Sequence, residues 1–435
     1  MKKALIISYY WPPSGGAGVQ RWLKFVKYLR DFGWEPVIFC PENPEYPETD
    51  PSLYHDIPDK LEILRFPIWE PYHVYKKLLG RKKEEKINAA FLAEKKKNKI
   101  LECFSVWIRG NFFIPDARKF WIRPSVKFLK NYLKEHPVDV IISTGPPHST
   151  HMIALQLASH MKLPWLADFR DPWTNIDFYK DLKLTSWADR KHRKLEMEIL
   201  CKANAISVIS SSMADDFRKI FHRSYNVITN GFDSADMEHS APVADKKFSI
   251  AHIGTLVSSR NPLTLWEALK SLLNSHPELA NDLEIKLVGK VDFTVTASID
   301  NFGLSRFVRK VDYMPHDEVI ICQQQSQVLL LIINNTPNAK MILTGKFFEY
   351  LAARRPILCL GPEDGDAALI LEETHAGLLA GFGDVEKMKQ HILHFYRKFN
   401  EGTLAVESRE IEKYSRKALT QKLASVMDEI TLKVS

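Results

Sequence analysis

Short apolar runs alternate with amphipathic helical stripes along the whole chain, and the alternation starts afresh halfway. In the first half, Ala4 to Ser8 reads as a buried strand. Val19, Trp22, Leu23, Val26 and Leu29 then recur at helical spacing, and Pro36 to Cys40 reads as a second strand. Further strands are expected at Val138 to Ser143, Pro164 to Ala167, Ala205 to Ile209 and Tyr225 to Ile228, with helices near 124–136, 149–161 and 186–201 and after Ser212. The second half repeats the pattern with strands at Phe248 to Ile253, Glu284 to Val288, Phe307 to Val311, Val328 to Ile332 and Ile357 to Leu360, and an apolar-faced helix from Leu263 to Leu273. Strand, helix and strand in succession make a parallel sheet with helices on its faces, so the fold class is α/β, doubled. Polar residues between Asn230-Gly231-Phe232-Asp233 and Lys247 mark the division, placing one domain at 1–235 and the next at 236–410.

A chain of 435 residues accommodates two such domains, each with its own core. With 45% hydrophobic and 26% charged residues, wholesale disorder is excluded. The five cysteines are scattered without Cys-x-x-Cys spacing, which points to a reducing compartment and away from a disulfide framework or a structural zinc. Met1-Lys2-Lys3 precedes an apolar run that ends at Trp11-Pro12-Pro13 with no small-residue cleavage pattern, so it reads as a strand, not a leader. No apolar run approaches the roughly 20 residues that span a bilayer.

The formal charge of +7 is concentrated. Lys76 to Lys99 holds ten Lys/Arg and three Glu, an excess of seven that equals that of the chain. The segment lacks the aromatic interleaving of a nucleic-acid site, so no nucleic-acid partner is expected. Phe91, Leu92, Phe104, Trp107, Ile108, Phe112 and Phe113 lie nearby, and a basic and aromatic insertion at about 76–113 suits an anionic membrane surface, where each cation contributes about 1 kcal/mol. A solvated helical insertion is the alternative.

Parallel sheets bind ligands at the carboxyl ends of their strands, and the chemistry-bearing residues fall there. Gly15-Gly16-x-Gly18 follows the first strand. It departs from the dinucleotide fingerprint G-x-G-x-x-G and no acidic residue closes the second strand, so NAD is disfavoured; the glycines serve an anionic or hydroxyl-rich ligand, or a tight turn. Thr144-Gly145-Pro146-Pro147-His148 and Asp168-Phe169-Arg170-Asp171-Pro172-Trp173 end two later strands. In the latter, two carboxylates flank an arginine and either orient a hydroxylated acceptor, act as base and charge partner, or form a structural ion pair. In the second half, Gly254-Thr255 and Arg260 follow a strand. Thr344 is expected to cap a helix beginning at Gly345, whose free amides, with Lys346, favour phosphate, while Glu349 one turn on could accept sugar hydroxyls. Asp364-Gly365-Asp366 imitates a metal-binding D-x-D but sits between a strand and a helix, so it reads as turn and cap, and no metal is expected.

In this order, Gly15-Gly16, Asp168 to Trp173, Asn230 to Asp233, Gly254-Thr255-Leu256 with Arg260-Asn261-Pro262, and Thr344 to Pro356 resemble the family-four retaining glycosyltransferases over nearly the whole chain, residues 41–120 excepted. The resemblance implies a GT-B fold of two Rossmann-like domains facing a cleft, with the last helix, 411–435, returning to the N-domain. It implies a nucleotide-sugar donor as co-substrate with no cofactor, and transfer to a glycan or lipid-linked acceptor at the cytoplasmic side of a membrane. Arg260 matches the family's diphosphate-binding cation, Glu349 the second glutamate of its pair, Gly345, Lys346 and Phe347 the donor-facing loop, and Gly15 and Gly16 the N-domain glycine loop; Gly254 and Thr255 complete the donor set. Catalytic roles are implied for Asp168, Arg170, Asp171, Arg260 and Lys346, and the acceptor side for Thr144, His148, Asp168 and Arg170. Three positions depart: Met341 stands for the first glutamate, Thr255 for an arginine and Arg354 for a glycine. A nucleotide-sugar epimerase and a non-catalytic sugar-nucleotide scaffold are the competing expectations.

Overall fold

In the computed structural model, residues 1–46, 49–70, 99–237, 242–312, 314–406 and 408–433 are described. The basic run Lys76 to Lys97 lies outside them. The chain separates into two units, one formed by Met1–Thr229 with the chain from Lys417, the other by Asn230–Arg416.

In unit 1 the elements are β1 (Lys2–Ile7), α1 (Ala17–Leu29), β2 (Trp34–Pro41), β3 (Glu62–Phe66), α2 (Lys99–Phe112), α3 (Lys119–Glu135), β4 (Val140–Gly145), α4 (Ser149–Met161), β5 (Trp165–Phe169), α5 (Ser186–Lys202), β6 (Ala205–Val208), α6 (Ser211–Ile220) and β7 (Asn226–Val227). The strands form one parallel sheet in the order β3-β2-β1-β4-β5-β6-β7. Ala4 to Ile7 are buried without alternation because helices cover both faces, and Ile6 pairs with Ile38 on one side and Ile142 on the other. Helix starts follow their caps: the Thr185 and Ser210 hydroxyls accept from Ala188 and Met213 N–H.

Unit 2 continues with β8 (Phe248–Ile253), α7 (Leu263–Ser275), α8 (Leu279–Asp282), β9 (Leu283–Val288), α9 (Phe293–Asn301), β10 (Val308–Val311), α10 (His316–Gln325), β11 (Val328–Ile332), α11 (Gly345–Ala352), β12 (Ile357–Leu360), α12 (Asp366–Thr374), β13 (Gly377–Ala380) and α13 (Val385–Asn400). Its parallel sheet runs β10-β9-β8-β11-β12-β13. One face packs Leu265, Trp266, Leu269 and Leu272 of α7 with Met388, Ile392 and Phe395 of α13. The other packs Phe347, Phe348, Tyr350 and Leu351 of α11.

The last helix, α14 (Arg416–Leu432), belongs to unit 1 from Lys417 on. Leu419, Leu423, Ala424, Val426, Met427 and Ile430 are buried in the same cluster as Trp22, Ile38 and Ile142. Each large apolar side chain buried there contributes about 1.5–3 kcal/mol.

Both sheets change strand order at a defined point, between β1 and β4 in unit 1 and between β8 and β11 in unit 2. Helices leave to opposite faces there, opening a crevice at the carboxyl ends. Those two edges carry the residues the sequence singles out.

Candidate functional site

At the carboxyl edge of unit 2, β8 ends at Ile253 and the chain turns through Gly254 with φ +117°, a conformation L side chains rarely adopt. A Cβ at Gly254 would meet the Lys346 amine, the end of a flexible side chain that can shift aside, so it is the positive φ that calls for glycine, with the lysine lying over it. Tyr350 sets that approach: its buried hydroxyl oxygen accepts from Ile253 N–H at 3.1 Å, pinning α11 to the end of β8. The loop after Gly254 is held by Leu256 N–H to Lys290 O (2.8 Å) and Asp292 N–H to Leu256 O (2.9 Å). Asn261, hydrogen-bonded to Ser298 (2.7 Å) and to the Trp266 indole (2.8 Å), fixes the turn into α7 just beyond Arg260.

Two cations therefore share this edge. Burial and then the Arg260 charge lower the Lys346 amine, against an opposing pull from Glu349, to about 8. Arg260 is itself depressed by burial. Beneath them His252 is held at about 3 by burial and then by Lys346, so it is neutral. Among the described residues neither Lys346 nor Arg260 makes an ion pair. Arg260 Nε, Thr344 Oγ1 and Gln323 Oε1 are buried without a hydrogen-bond partner. Two like charges held together, half-buried and without an ion-pair partner among the described residues, beside the N-terminus of an eight-residue helix, favour an anion there. Glu349 lies one turn along α11, oriented by Gln323 Nε2 at 3.2 Å.

Corrections arise within this group. Thr344 occupies the N-cap position of α11, but its side chain bonds no helix N–H. Phe347 is wholly buried in the core, so its side chain is a packing residue with nothing to offer a donor. At Gly345 a Cβ would meet nothing within 4 Å, so the space beside it is open. Arg354 adopts φ +52°, which accounts for the resemblance to sequences with glycine there. Asp364 pairs with Lys340, and Asp366 lies in the first turn of α12.

At the carboxyl edge of unit 1, Asp168 is entirely buried. It receives Arg21 through Nη2 (2.8 Å) and Nε (3.2 Å), the Trp22 indole (2.7 Å), Ser207 Oγ (2.8 Å) and Thr144 Oγ1 (3.0 Å). Sheet register supplies two of these, since Thr144 and Ser207 flank Asp168 on β4 and β6. Burial raises its carboxyl, but Arg21 and the hydrogen bonds outweigh that and leave it at about 2. A carboxylate so saturated and enclosed cannot take a proton from an acceptor, so the expected catalytic role of Asp168 is replaced by a structural one, and Thr144 is its support. Arg170 is likewise a clamp. It donates to Gly18 O (2.6 Å), to Gly145 O from its backbone N–H (3.0 Å), and to Pro146 O, binding the glycine loop to the loop after β4. A Cβ at Gly18 would lie 2.8 Å from Arg170 Nη1, which explains that glycine. Gly16 caps α1 with φ +86°, and Gly15 is buried beside it. Asp171 is exposed and bonded to none of these.

His148 stacks flat on Trp173, 4.3 Å between centroids, and Trp173 donates to His192 at 3.0 Å. His151 lies next to it and shares a hydrogen bond with Ser143 (2.8 Å). Burial drives His148 well below its ordinary value and His151 to about 3. His148 Nδ1 and His151 Nε2 are both buried without a partner beside Gly145. Of the residues sequence reasoning missed, His252 carried a signal, a polar residue inside an otherwise apolar strand. Arg21 and Gln323 carried none; His151, with His148, drew notice only as a metal ligand lacking company.

Residues 15–231 match the family described as glycosyl transferase 4-like domain. Among curated proteins, none matches the sequence. Of solved structures, a S. aureus TarM variant in complex with fondaparinux, α-GlcNAc-glycerol and UDP is 13% identical with a TM-score of 0.60, covering 98% of this chain and 100% of that one. Anabaena HepE in complex with UDP-glucose is 13% identical at 0.57, covering 100% and 99%. Sucrose-phosphate synthase from Thermosynechococcus elongatus is 14% identical at 0.56, covering 100% and 97%. The fold is that of GT-B glycosyltransferases, with two Rossmann-like domains.

Proposed function

The chain is a glycosyltransferase belonging to the glycosyl transferase 4-like family, and from that premise we propose that unit 2 binds a nucleotide-diphosphate sugar whose sugar passes to a glycan or lipid-linked acceptor held by unit 1, in surface polysaccharide or glycoconjugate synthesis. The observation that carries the reading is the pair of cations that make no ion pair among the described residues, Lys346 over Gly254 and Arg260 beside it in the same field, next to the N-terminus of α11. A diphosphate placed there would satisfy Arg260 Nε and Thr344 Oγ1 and relieve the repulsion between the cations. Glu349 is assigned to the ribose, with Gln323 holding it.

As the nucleoside diphosphate departs, negative charge grows on its oxygens. Arg260, Lys346 and the α11 amides stabilise that charge in place of a metal, each preorganised donor contributing about 3 kcal/mol. Transfer with retention, the leaving phosphate assisting the acceptor proton, is the reading in keeping with the family resemblance, and the saturation of Asp168 removes the strongest protein candidate for a base. His148 and the loop it ends, after β4, are assigned to the acceptor.

Exposed aromatics support contact with an anionic membrane surface on the cytoplasmic side. Trp69, Phe112, Phe120 and Trp187 are exposed, and Lys119 lies over the Phe113 and Phe120 rings. Among the described residues no helix is long and apolar enough to cross a membrane. Neutralising Arg81, Lys82, Lys83, Lys95, Lys96 and Lys97 together should release the protein from anionic vesicles; undiminished binding would dispose of this contact.

The donor assignment is tested with UDP first, because UDP or UDP-glucose occupies the TarM and HepE structures, then with GDP and ADP. A bound nucleotide at 100 times its Kd stabilises by about 2.7 kcal/mol. R260A should abolish both stabilisation and transfer. Transfer that survives R260A and E349A would refute the assignment; donor conversion without glycan product would mean an epimerase, and no binding at all a scaffold.

A further inference from the structure

The opposite edge of the unit 2 sheet holds a cavity of about 410 Å³ where β12 and β13 begin, walled by Pro356 and Gly377. Because β12 runs away from it through four residues, the cavity and the Lys346 edge are separated by at least a strand length, about 13 Å. Nothing in the donor reading uses it.

Its wall combines two chemistries. Phe395 and Leu404, both largely buried, give an apolar floor. Around them stand His375 from the end of α12, His394 and Lys398 from α13, and Arg409 from the segment beyond. Among the described residues no acidic side chain lines the cavity, and none of the four basic side chains makes an ion pair. Neighbouring lysines on the same unit behave otherwise: Lys387 pairs with Glu363, Lys389 with Glu386, and Lys413 with Glu373. The concentration of one sign in a concave site is therefore local. His394 registers it, being held below its ordinary value by burial and then by Lys398 and Arg397, which outweigh the opposing charge of Glu401 outside the cavity wall. Concave walls of low dielectric focus such a field and raise the local concentration of anions.

We propose that this cavity is a second ligand site, which takes a small organic anion with its phosphate or carboxylate against His394, Lys398 and Arg409 and its apolar body on Phe395 and Leu404. The cations come from separate segments, so a bound anion bridges α13 to the chain around Arg409. Occupancy would be independent of the donor.

Phenyl phosphate is the probe, with inorganic phosphate and phenol as controls for head and body. Calorimetry on the full-length R260A/K346M protein, in which the donor edge is disabled, should give saturable binding of phenyl phosphate, at least tenfold tighter than either control. K398Q/R409Q in that background should weaken it tenfold or more with an unchanged melting temperature. The His394 imidazole, followed by NMR, should titrate at higher pH when phenyl phosphate is bound. Equal affinity in K398Q/R409Q, a still His394 resonance, or no saturable binding at millimolar probe would overturn the proposal.

Discussion

Lys346→Met separates what the lysine does for a ligand from what it does to the fold. Held at about 8 where a free lysine titrates at 10.5, the ammonium is disfavoured in the native state by about 3 kcal/mol, at about 1.4 kcal/mol per pH unit. The sign follows from proton counts. Between pH 8 and 10.5 the unfolded chain keeps a proton that the folded chain has lost, so native stability rises with pH across that window; below pH 8 the full penalty applies. Methionine keeps the aliphatic stem and omits the charge, so the ligand-free variant should be more stable than the wild type by about 2–3 kcal/mol at pH 7. For a unit of this size that raises its melting temperature by about 2–4 °C per kcal/mol. The advantage should shrink steadily from pH 8 and be largely gone at pH 10. UDP affinity should fall in the same variant, by about 10–100-fold, the value of a charge-assisted hydrogen bond of about 1.5–3 kcal/mol. Thermal melts at pH 7 and pH 10, with and without UDP, read all of this. A variant no more stable than wild type at pH 7, or one whose advantage persists unchanged at pH 10, would refute the argument that Lys346 is strained for the sake of an anion.

Wild-type UDP binding should weaken as pH rises through about 8, while K346M shows no such inflection; calorimetry across pH 6.5–9.5 decides it. Gly254→Ala should destabilise unit 2 by about 1–3 kcal/mol, the price of a strained φ, and reduce UDP affinity by displacing the Lys346 amine, both seen in melts. Asp168→Asn leaves Arg21 without its counter-charge and should destabilise unit 1 by about 3–5 kcal/mol; denaturant titration measures it. The wild-type stabilisation from Asp168 is complete above pH 3.8 and fades as pH falls through about 2. Arg354→Gly should gain about 1 kcal/mol by relieving φ +52°, checked by a rise in melting temperature.

How much of this was legible before any coordinates depended on whether the determining contacts were local. The strands Phe248–Ile253, Val328–Ile332 and Ile357–Leu360 stand where the apolar runs place them, because strands covered on both faces read as continuous hydrophobic blocks. The edge strand Glu62–Phe66 escaped notice since its residues are only partly buried, and Gly377–Ala380 because it is short and opens on glycine. Pro124, taken as a helix start, lies inside a helix that begins at Lys119. The cations at the unit 2 edge were readable from the strand ends they follow. Asp168 looked like chemistry because its partner Arg21 is 147 residues away; proximity of that kind leaves no trace in a local motif. The desolvation that makes Lys346 unusual is equally non-local, since its amine lies over Gly254, 92 residues earlier in the chain.

The membership of α14 in unit 1 has a bearing on biogenesis. Leu423, Met427 and Ile430 are the last large groups to enter that interior, and the ribosome makes them only after all of unit 2. During synthesis the first-made sheet must therefore wait, with an unfilled apolar trough, while the second-made unit can finish on its own. Nascent chains stalled before Lys417 should thus show a protease-sensitive beginning and a resistant middle, the reverse of the order in which the two were translated.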